Sequence, residues 1–428
     1  MTEDVAAIVL ENNYRQAQAI NLMNFQAERR GYEYARLMHQ MEDFGGLDAS
    51  LEYLPGDDEL KERRAHGKSF TAPELSVLTS YVKGWLKQDL ATSELLDEPF
   101  LTREMDVAFP RVLVEKYSDE LLKHRLRREI VATQIANGMV NRMGISFVNR
   151  MVQSTGVDNA LIAKAYIGAR NIFGVDEYWD EIQELDYKVD PAIQKTMMID
   201  LIRLVRRATR WLLRNRRQSL VLEKEVPQFQ EARLQLFENW RELLRGSAQG
   251  AWQEAQKYLV DAGVNESLAD FAASAHYLYS VMGIVEASNR TGEQPLSVAR
   301  VYFAVGERLE LHWFSWQIRE FEASNQWEAL ARESLQDDLN WQQVSITLGV
   351  IAEAQNGNGK QDASLAKVSV DDLIERWIDA HQLLVDRWMS LVAEMRTTNV
   401  REPAVFTVAI RELLDLAQSS GPGRARSR

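Results

Sequence analysis

Apolar residues recur every three to four positions through most of this chain, the period of helices lying on a core. Val5, Ile8, Val9, Tyr14, Ala17 and Ile20 predict a first helix with a buried stripe. Gly45-Gly46 and Leu54-Pro55-Gly56-Asp57 punctuate the next stretch. Thr71-Ala72-Pro73-Glu74 then gives a helix start, with Thr and Glu at capping-box spacing and proline where its missing N–H costs nothing. Leu75, Leu78, Val82, Trp85 and Leu86 supply that helix's buried face. Pro99 and Pro110 interrupt the pattern before a long helix over about 115–139, and Gly144 and Gly156 mark turns. Leu161, Ile162, Ala165, Tyr166, Ala169, Ile172 and Phe173 keep the helical period, and Asp190-Pro191 sets an N-cap before proline and opens a helix to about 222. Further helices are predicted over 228–244, 251–260, 267–286, 297–321, 327–353 and 369–395, the last capped by Ser369 and Asp372. No alternating strand pattern supplies a sheet, so the fold class is all-α, one or more multi-helix bundles without a Rossmann sheet.

Composition sharpens this picture. Only 9 prolines and 22 glycines in 428 residues leave room for long uninterrupted helices. At roughly 150 residues per domain the length suggests two or three units. The punctuation divides them as 1–65, 66–222 and 223–420, with a flexible loop near 355–364 and a small, basic, disordered tail over 421–428. The formal charge of −13 favours solubility and disfavours general adhesion to nucleic acid or anionic lipid. With no cysteine, disulfides, thiolate nucleophiles and cysteine-ligated metal centres are excluded. The acidic start Met1-Thr2-Glu3-Asp4 does not read as a signal peptide, and no apolar run approaches the roughly 20 residues of a membrane span. The chain reads as cytoplasmic, with no membrane partner.

Candidate chemistry is sparse. G-x-G-x-x-G does not occur, and Gly357-Asn358-Gly359-Lys360 lacks both a preceding strand and the phosphate-loop spacing, so it reads as a linker. His39, His66, His124, His276, His312 and His381 lie far apart without the spacing that aims two ligands at one metal from a helix. His276 and His312 sit among aromatic residues and read as core. One signal stands out from the acidic background: seven arginines between Arg203 and Arg217. Arg203, Arg207, Arg210, Arg214 and Arg217 share one helical stripe and form the candidate docking surface for an acidic partner or for RNA. The plainer reading is a face neutralised by the chain's own carboxylates, and the same choice applies to His124-Arg125-Leu126-Arg127-Arg128.

A resemblance covers much of the chain. Phe70-Thr71-Ala72-Pro73-Glu74-Leu75-Ser76-Val77-Leu78, His124-Arg125-Leu126-Arg127-Arg128-Glu129-Ile130-Val131-Ala132-Thr133-Gln134 and Asn141-Arg142-Met143-Gly144-Ile145-Ser146-Phe147-Val148 are followed in order by further segments. These begin at Arg207-Ala208-Thr209-Arg210-Trp211, Tyr302-Phe303-Ala304-Val305-Gly306, Ala331-Arg332-Glu333-Ser334-Leu335 and Val408-Ala409-Ile410-Arg411. Together they resemble the C-terminal region of the large bacterial NAD-specific glutamate dehydrogenases. Ala72 stands where that pattern has arginine, and His312 where aspartate is familiar.

The resemblance implies an enzyme that oxidises L-glutamate with NAD to 2-oxoglutarate and ammonium, and is itself a homo-oligomer. It also implies that the catalytic and dinucleotide-binding residues lie in an upstream catalytic domain. No catalytic, cofactor-binding or metal-binding residue is therefore assigned in this chain, which is expected to be a fragment or split product, inactive alone and without bound NAD. The alternative is a free-standing helical interaction module that docks an acidic partner through the arginine-rich helix.

Overall fold

A computed structural model describes residues 2–323, 325–357, 365, 368–398 and 402–420. Among the described residues the regular structure is α-helix with two short 3-10 segments and no strand, which bears out the all-α expectation. The proposed loop and tail fall mainly on 358–364 and 421–428, outside the described residues, while the helix Gln326–Gly357 runs through Gln355. Contacts group the chain into two compact units, Met1–Asp176 with Leu201–Val226, and Glu177–Asp200 with Pro227–Arg428.

In the first unit the helices Ala72–Thr92 and Arg127–Met143 pack along each other. Leu75, Leu78, Val82, Leu86 and Leu90 of one and Val131, Ile135, Met139 and Val140 of the other are buried. Thr71 and Glu74 form the expected reciprocal cap, the Glu74 carboxylate accepting from the Thr71 N–H at 2.7 Å. The helix predicted over 115–139 is in fact two, Arg111–Leu122 and Arg127–Met143. Between them the His124 Nδ1 accepts the Leu126 N–H at 3.1 Å, a local bond that competes with the helical ladder. Gly144 and Gly156 both adopt positive φ, +83° and +67°, which ends their helices without the steric cost a Cβ would add. The first helix, Thr2–Phe25, exists, but its expected stripe is displaced. Val5 and Val9 are exposed, and the buried residues are Ala19, Leu22 and Met23.

In the second unit Gln326–Gly357 is the central helix, packed by Pro403–Ser419, Pro295–Arg308 and Ser280–Thr291. Ile346, Val350, Ile351, Phe406, Leu413 and Leu416 are buried. Helices meet closely where glycine permits it: a Cβ on Gly349 would lie 2.7 Å from the Ser420 carbonyl oxygen, and one on Gly283 2.5 Å from Val344 Cγ2. Three predicted long helices are each divided. The run 267–286 breaks at Tyr279, 297–321 at Leu309–Glu310, and 369–395 at His381. Glu310 has φ +56°, a left-handed residue that resets the helix direction, and the buried carbonyl of Leu309 accepts the Trp388 indole N–H at 2.8 Å. The Ser369 hydroxyl caps the next helix, accepting the Asp372 N–H. The helix opened by Asp190, whose Oδ1 accepts the Ala192 N–H at 2.7 Å, ends at Asn215 instead of continuing to 222.

Candidate functional site: the arginine helix and its buried ion pairs

Leu201, Ile202, Leu204, Val205, Ala208, Trp211, Leu212 and Leu213 are all buried, so apolar residues cover more than half of this stretch of helix and leave the arginines the remaining arc. The arginine stripe follows from that. Arg210 is only 1% exposed, and Arg203 and Arg207 are half-buried. Only Arg214 and Arg217, at and beyond the helix's last turn, stand exposed. Their guanidinium groups donate at 3.4 Å to the carbonyls of Ser154 and Gly156, at the C-terminus of the helix Phe147–Thr155. There the peptide dipole's negative end favours a cation. Arg216 donates to Glu225 Oε2 at 3.2 Å and lies over the Trp211 ring. The arginine helix thus carries cations that serve the chain's own interior.

Arg206 of this helix adds to the field at Glu33, a carboxylate the sequence did not single out. Glu33 accepts from the Ser146 hydroxyl at 2.7 Å and from Arg150 Nη1 at 2.8 Å, and Arg30 Nη2 lies 2.9 Å away. Burial alone would raise its pKa. Arg150, Arg30, Ser146 and Arg206 outweigh that and hold it down at about 2, so it is a permanent anion at any physiological pH. A second buried group joins Arg170 to Glu104, with Nη1 at 3.1 Å from Oε2 and Nη2 bonded to the other oxygen. Asp176 bridges the Nε of Arg170, at 3.2 Å, to Arg142 Nη1, at 2.8 Å. Arg170 and Glu104 lie 66 residues apart in sequence. No sequence spacing announces them.

The second basic group has the same use. Arg127 and Arg128 both pair with Asp97, and Arg128 Nη2 donates to the Ser93 carbonyl at 2.7 Å, at the end of the helix Ala72–Thr92. The histidines are spent in packing and local bonds. The His312 ring stacks on Phe303, centroids 5.9 Å apart, and meets Tyr277 edge-on. Burial pushes its pKa down to about 4, against a smaller opposing effect of its bond to the Phe303 backbone. Gly306 makes room for it, since a Cβ there would approach the His312 Nε2 to 2.5 Å. His381 Nδ1 donates to the Trp377 carbonyl at 2.8 Å, and His39 lies between Asp57 and Glu42, at 2.9 and 3.2 Å. Among the described residues no three His, Asp or Glu side chains are grouped to hold a metal ion.

A cavity of about 390 Å³ opens between the end of the helix Ala27–Asp43 and the helix Ala72–Thr92. Phe44 stacks on Trp85 along its wall at 5.5 Å, and Tyr81 beside them donates to Glu52 Oε1 at 2.6 Å. Met41, Gly46, Gly84 and Gln88 complete its walls, with Ser80 bonded back to its own helix.

A family model described as "Glutamate dehydrogenase, C-terminal" matches residues 67–415, more than three quarters of the sequence. The chain belongs to this family. Among curated relatives of this glutamate dehydrogenase C-terminal family, it is 45% identical over 423 residues to the NAD-specific glutamate dehydrogenase of Pseudomonas aeruginosa, covering 99% of this chain and 26% of that protein. Identity to the Halomonas elongata enzyme of the same name is 40%, covering 98% and 25%. Identity to that of Mycobacterium tuberculosis is 27%, covering 99% and 25%. The chain therefore spans about a quarter of the length of the curated relatives it matches. Among the described residues no helix is long and apolar enough to cross a membrane.

Proposed function

We propose that this chain is the helical C-terminal part of an NAD-dependent glutamate dehydrogenase, and that it supports, assembles or regulates a catalytic part carried by the other three quarters of such an enzyme. One observation carries the reading: nearly the whole chain aligns at 45% identity, yet with only 26% of the relative. The use of the interior arginines agrees with it. Glu33, Glu104 and Asp176 are paired with cations rather than presented in an open cleft, which suits a scaffold. NAD is then the cofactor of the whole enzyme, bound upstream, and the whole enzyme is a homo-oligomer working in the cytoplasm.

The docking role expected of Arg203, Arg207, Arg210, Arg214 and Arg217 narrows within this reading to Arg214 and Arg217, the two exposed members. The test is glutamate-dependent NADH formation, followed by absorbance. The 428-residue chain alone should give none. A chimera in which it replaces the matching segment of the Pseudomonas aeruginosa relative should give activity. Turnover by the chain alone, or an inactive but folded chimera, would overturn the reading.

A further inference from the structure

Lys83 sits on the helix Ala72–Thr92, which packs against the helix Thr2–Phe25. Its ammonium reaches across the pair and donates to Gln16 Oε1 at 2.7 Å. Both residues are half-buried. The acceptor is a neutral amide, whereas a cation withdrawn from water is ordinarily answered by an anion. Lys164 and Lys61 keep to that arrangement, with Glu98 at 2.7 Å and Asp58 at 3.0 Å. Among the described residues Lys83 makes no ion pair.

Helical spacing brings no anion to this place. One turn either side of Gln16 stand Asn12, Asn13, Ala19 and Ile20, and one turn either side of Lys83 stand Thr79, Ser80, Leu86 and Lys87. The single ionisable group in that set is a second cation. The helices packed on Ala72–Thr92 are Thr2–Phe25, Ala27–Asp43, Arg127–Met143 and Asn159–Phe173, and none of them sets a charge against the ammonium. Burial acts on it unopposed and pushes its pKa from the ordinary 10.5 down to about 8. The nitrogen can still be reached from solvent. Ser80, Gly84 and Lys87 around it are exposed, and a Cβ on Gly84 would meet no atom within 4 Å.

We infer that Lys83 is an acylation site, where the Nζ amine attacks the carbonyl carbon of a small activated acyl donor, an acyl phosphate or an acyl thioester. A C–N bond forms while the C–O bond to phosphate, or the C–S bond to the thiol, breaks. The leaving group takes that electron pair, and the surplus proton on nitrogen passes to water. The amide product keeps one N–H for Gln16 Oε1 and loses the charge that burial disfavours. At pH 7.5 about a quarter of such an amine is unprotonated, against about a thousandth of an ordinary lysine. A weaker base is also a weaker nucleophile, which takes back roughly a factor of ten or a little more and leaves an advantage of about tenfold.

The test is peptide mapping by mass spectrometry of the 428-residue chain after brief exposure to acetyl phosphate and, in a parallel arm, to acetyl-CoA, from pH 6.5 to 10. Exposed Lys87 and the paired Lys61 serve as internal standards. Lys83 should be acetylated about tenfold faster than Lys87 at pH 7.5 by at least one donor, and the arm that shows it identifies which. Its rate should level off above pH 8 while that of Lys87 goes on rising. Gln16→Glu, which places a carboxylate against the ammonium, should cut the Lys83 rate at least fivefold and leave Lys87 unchanged. Lys83 reacting no faster than Lys87 with either donor overturns the inference, and so does a folded Gln16→Glu variant that reacts like the native chain. The rate ratio and pH profile of the native chain decide the matter even where the variant does not fold.

Discussion

Replacing Glu33 by Gln gives the sharpest test of the buried charge network. The Glu33 carboxyl titrates at about 2 in the fold against its ordinary 4.5. At about 1.4 kcal/mol per pH unit, that difference amounts to about 3 kcal/mol in favour of the folded first unit near neutrality. The sign follows from a lowered folded-state pKa: the contribution is complete above 4.5, falls as the unfolded chain takes up a proton, and is gone below about 2. Roughly half should be lost near pH 3. The variant also strands Arg30 and Arg150 around a neutral amide, and breaking a buried pair from one side costs about 3–5 kcal/mol. A two-unit chain need not unfold in a single step, so the measurement is hydrogen exchange at the buried amides of Ile135 and Val140, in the first unit. Protection there should drop by two orders of magnitude or more at pH 7, and the gap between native chain and variant should narrow on acidification through pH 3. A variant as protected as the native chain, or a gap unchanged by pH, would refute the electrostatic account.

Other consequences are as direct. Arg170→Met removes the cation that Glu104 and Asp176 share, and should destabilise the first unit by about 3–5 kcal/mol in urea titration, because two carboxylates are left without it. Thr71→Ala deletes one half of the capping box and should cost about 1 kcal/mol, with exchange quickening first in the opening turn of the helix Ala72–Thr92. Gly349→Ala places a methyl group against the Ser420 backbone, which has no rotamer to yield, and should lower stability by about 1–3 kcal/mol and loosen the helix Pro403–Ser419. His312 titrates near 4 in the fold against 6.5 unfolded, so its uncharged ring favours folding above 6.5 and that margin disappears as pH falls towards 4. Ring nitrogen shifts by NMR should show it neutral at pH 5.5, and His312→Phe should flatten the stability profile between pH 6.5 and 4.

What could be read from the sequence divides by how local the physics is. Thr71, Asp190 and Ser369 were legible as caps because the acceptor and the N–H it satisfies lie two or three residues apart. The breaks at His124, Tyr279, Glu310 and His381 were not, since none is marked by proline or glycine and each depends on a turn bond or on packing. The capping arginine Arg128 and the ion pairs of Glu33 and Arg170 were equally hidden, their partners lying 35, 117 and 66 residues away.

Of the arginine stripe, Arg203, Arg207, Arg210 and Arg214 lie on the helix Pro191–Asn215 and Arg217 lies past its end, while Arg216, outside the stripe, pairs with Glu225. Burial of Arg210 went unforeseen, although a signal existed: apolar residues take more than half of the helix circumference over 201–213, which leaves only a narrow arc for a docking face. In the first helix, Val5 and Val9 were read as part of a core-facing stripe, yet both are exposed and the buried residues are Ala19, Leu22 and Met23. Periodicity alone does not say how much of such a stripe is covered.

Glu33 answers to Ser146 and Arg150 at the start of one helix, to Arg30 and to Arg206, three separate stretches of sequence. Any one of these side chains can drift only if the others compensate at once, for a lone replacement leaves an ion in the interior. Descent with modification should therefore treat the set as a single heritable character, kept whole in one lineage and exchanged whole for apolar packing in another. In an alignment of relatives, that all-or-none pattern would be the imprint of the carboxylate.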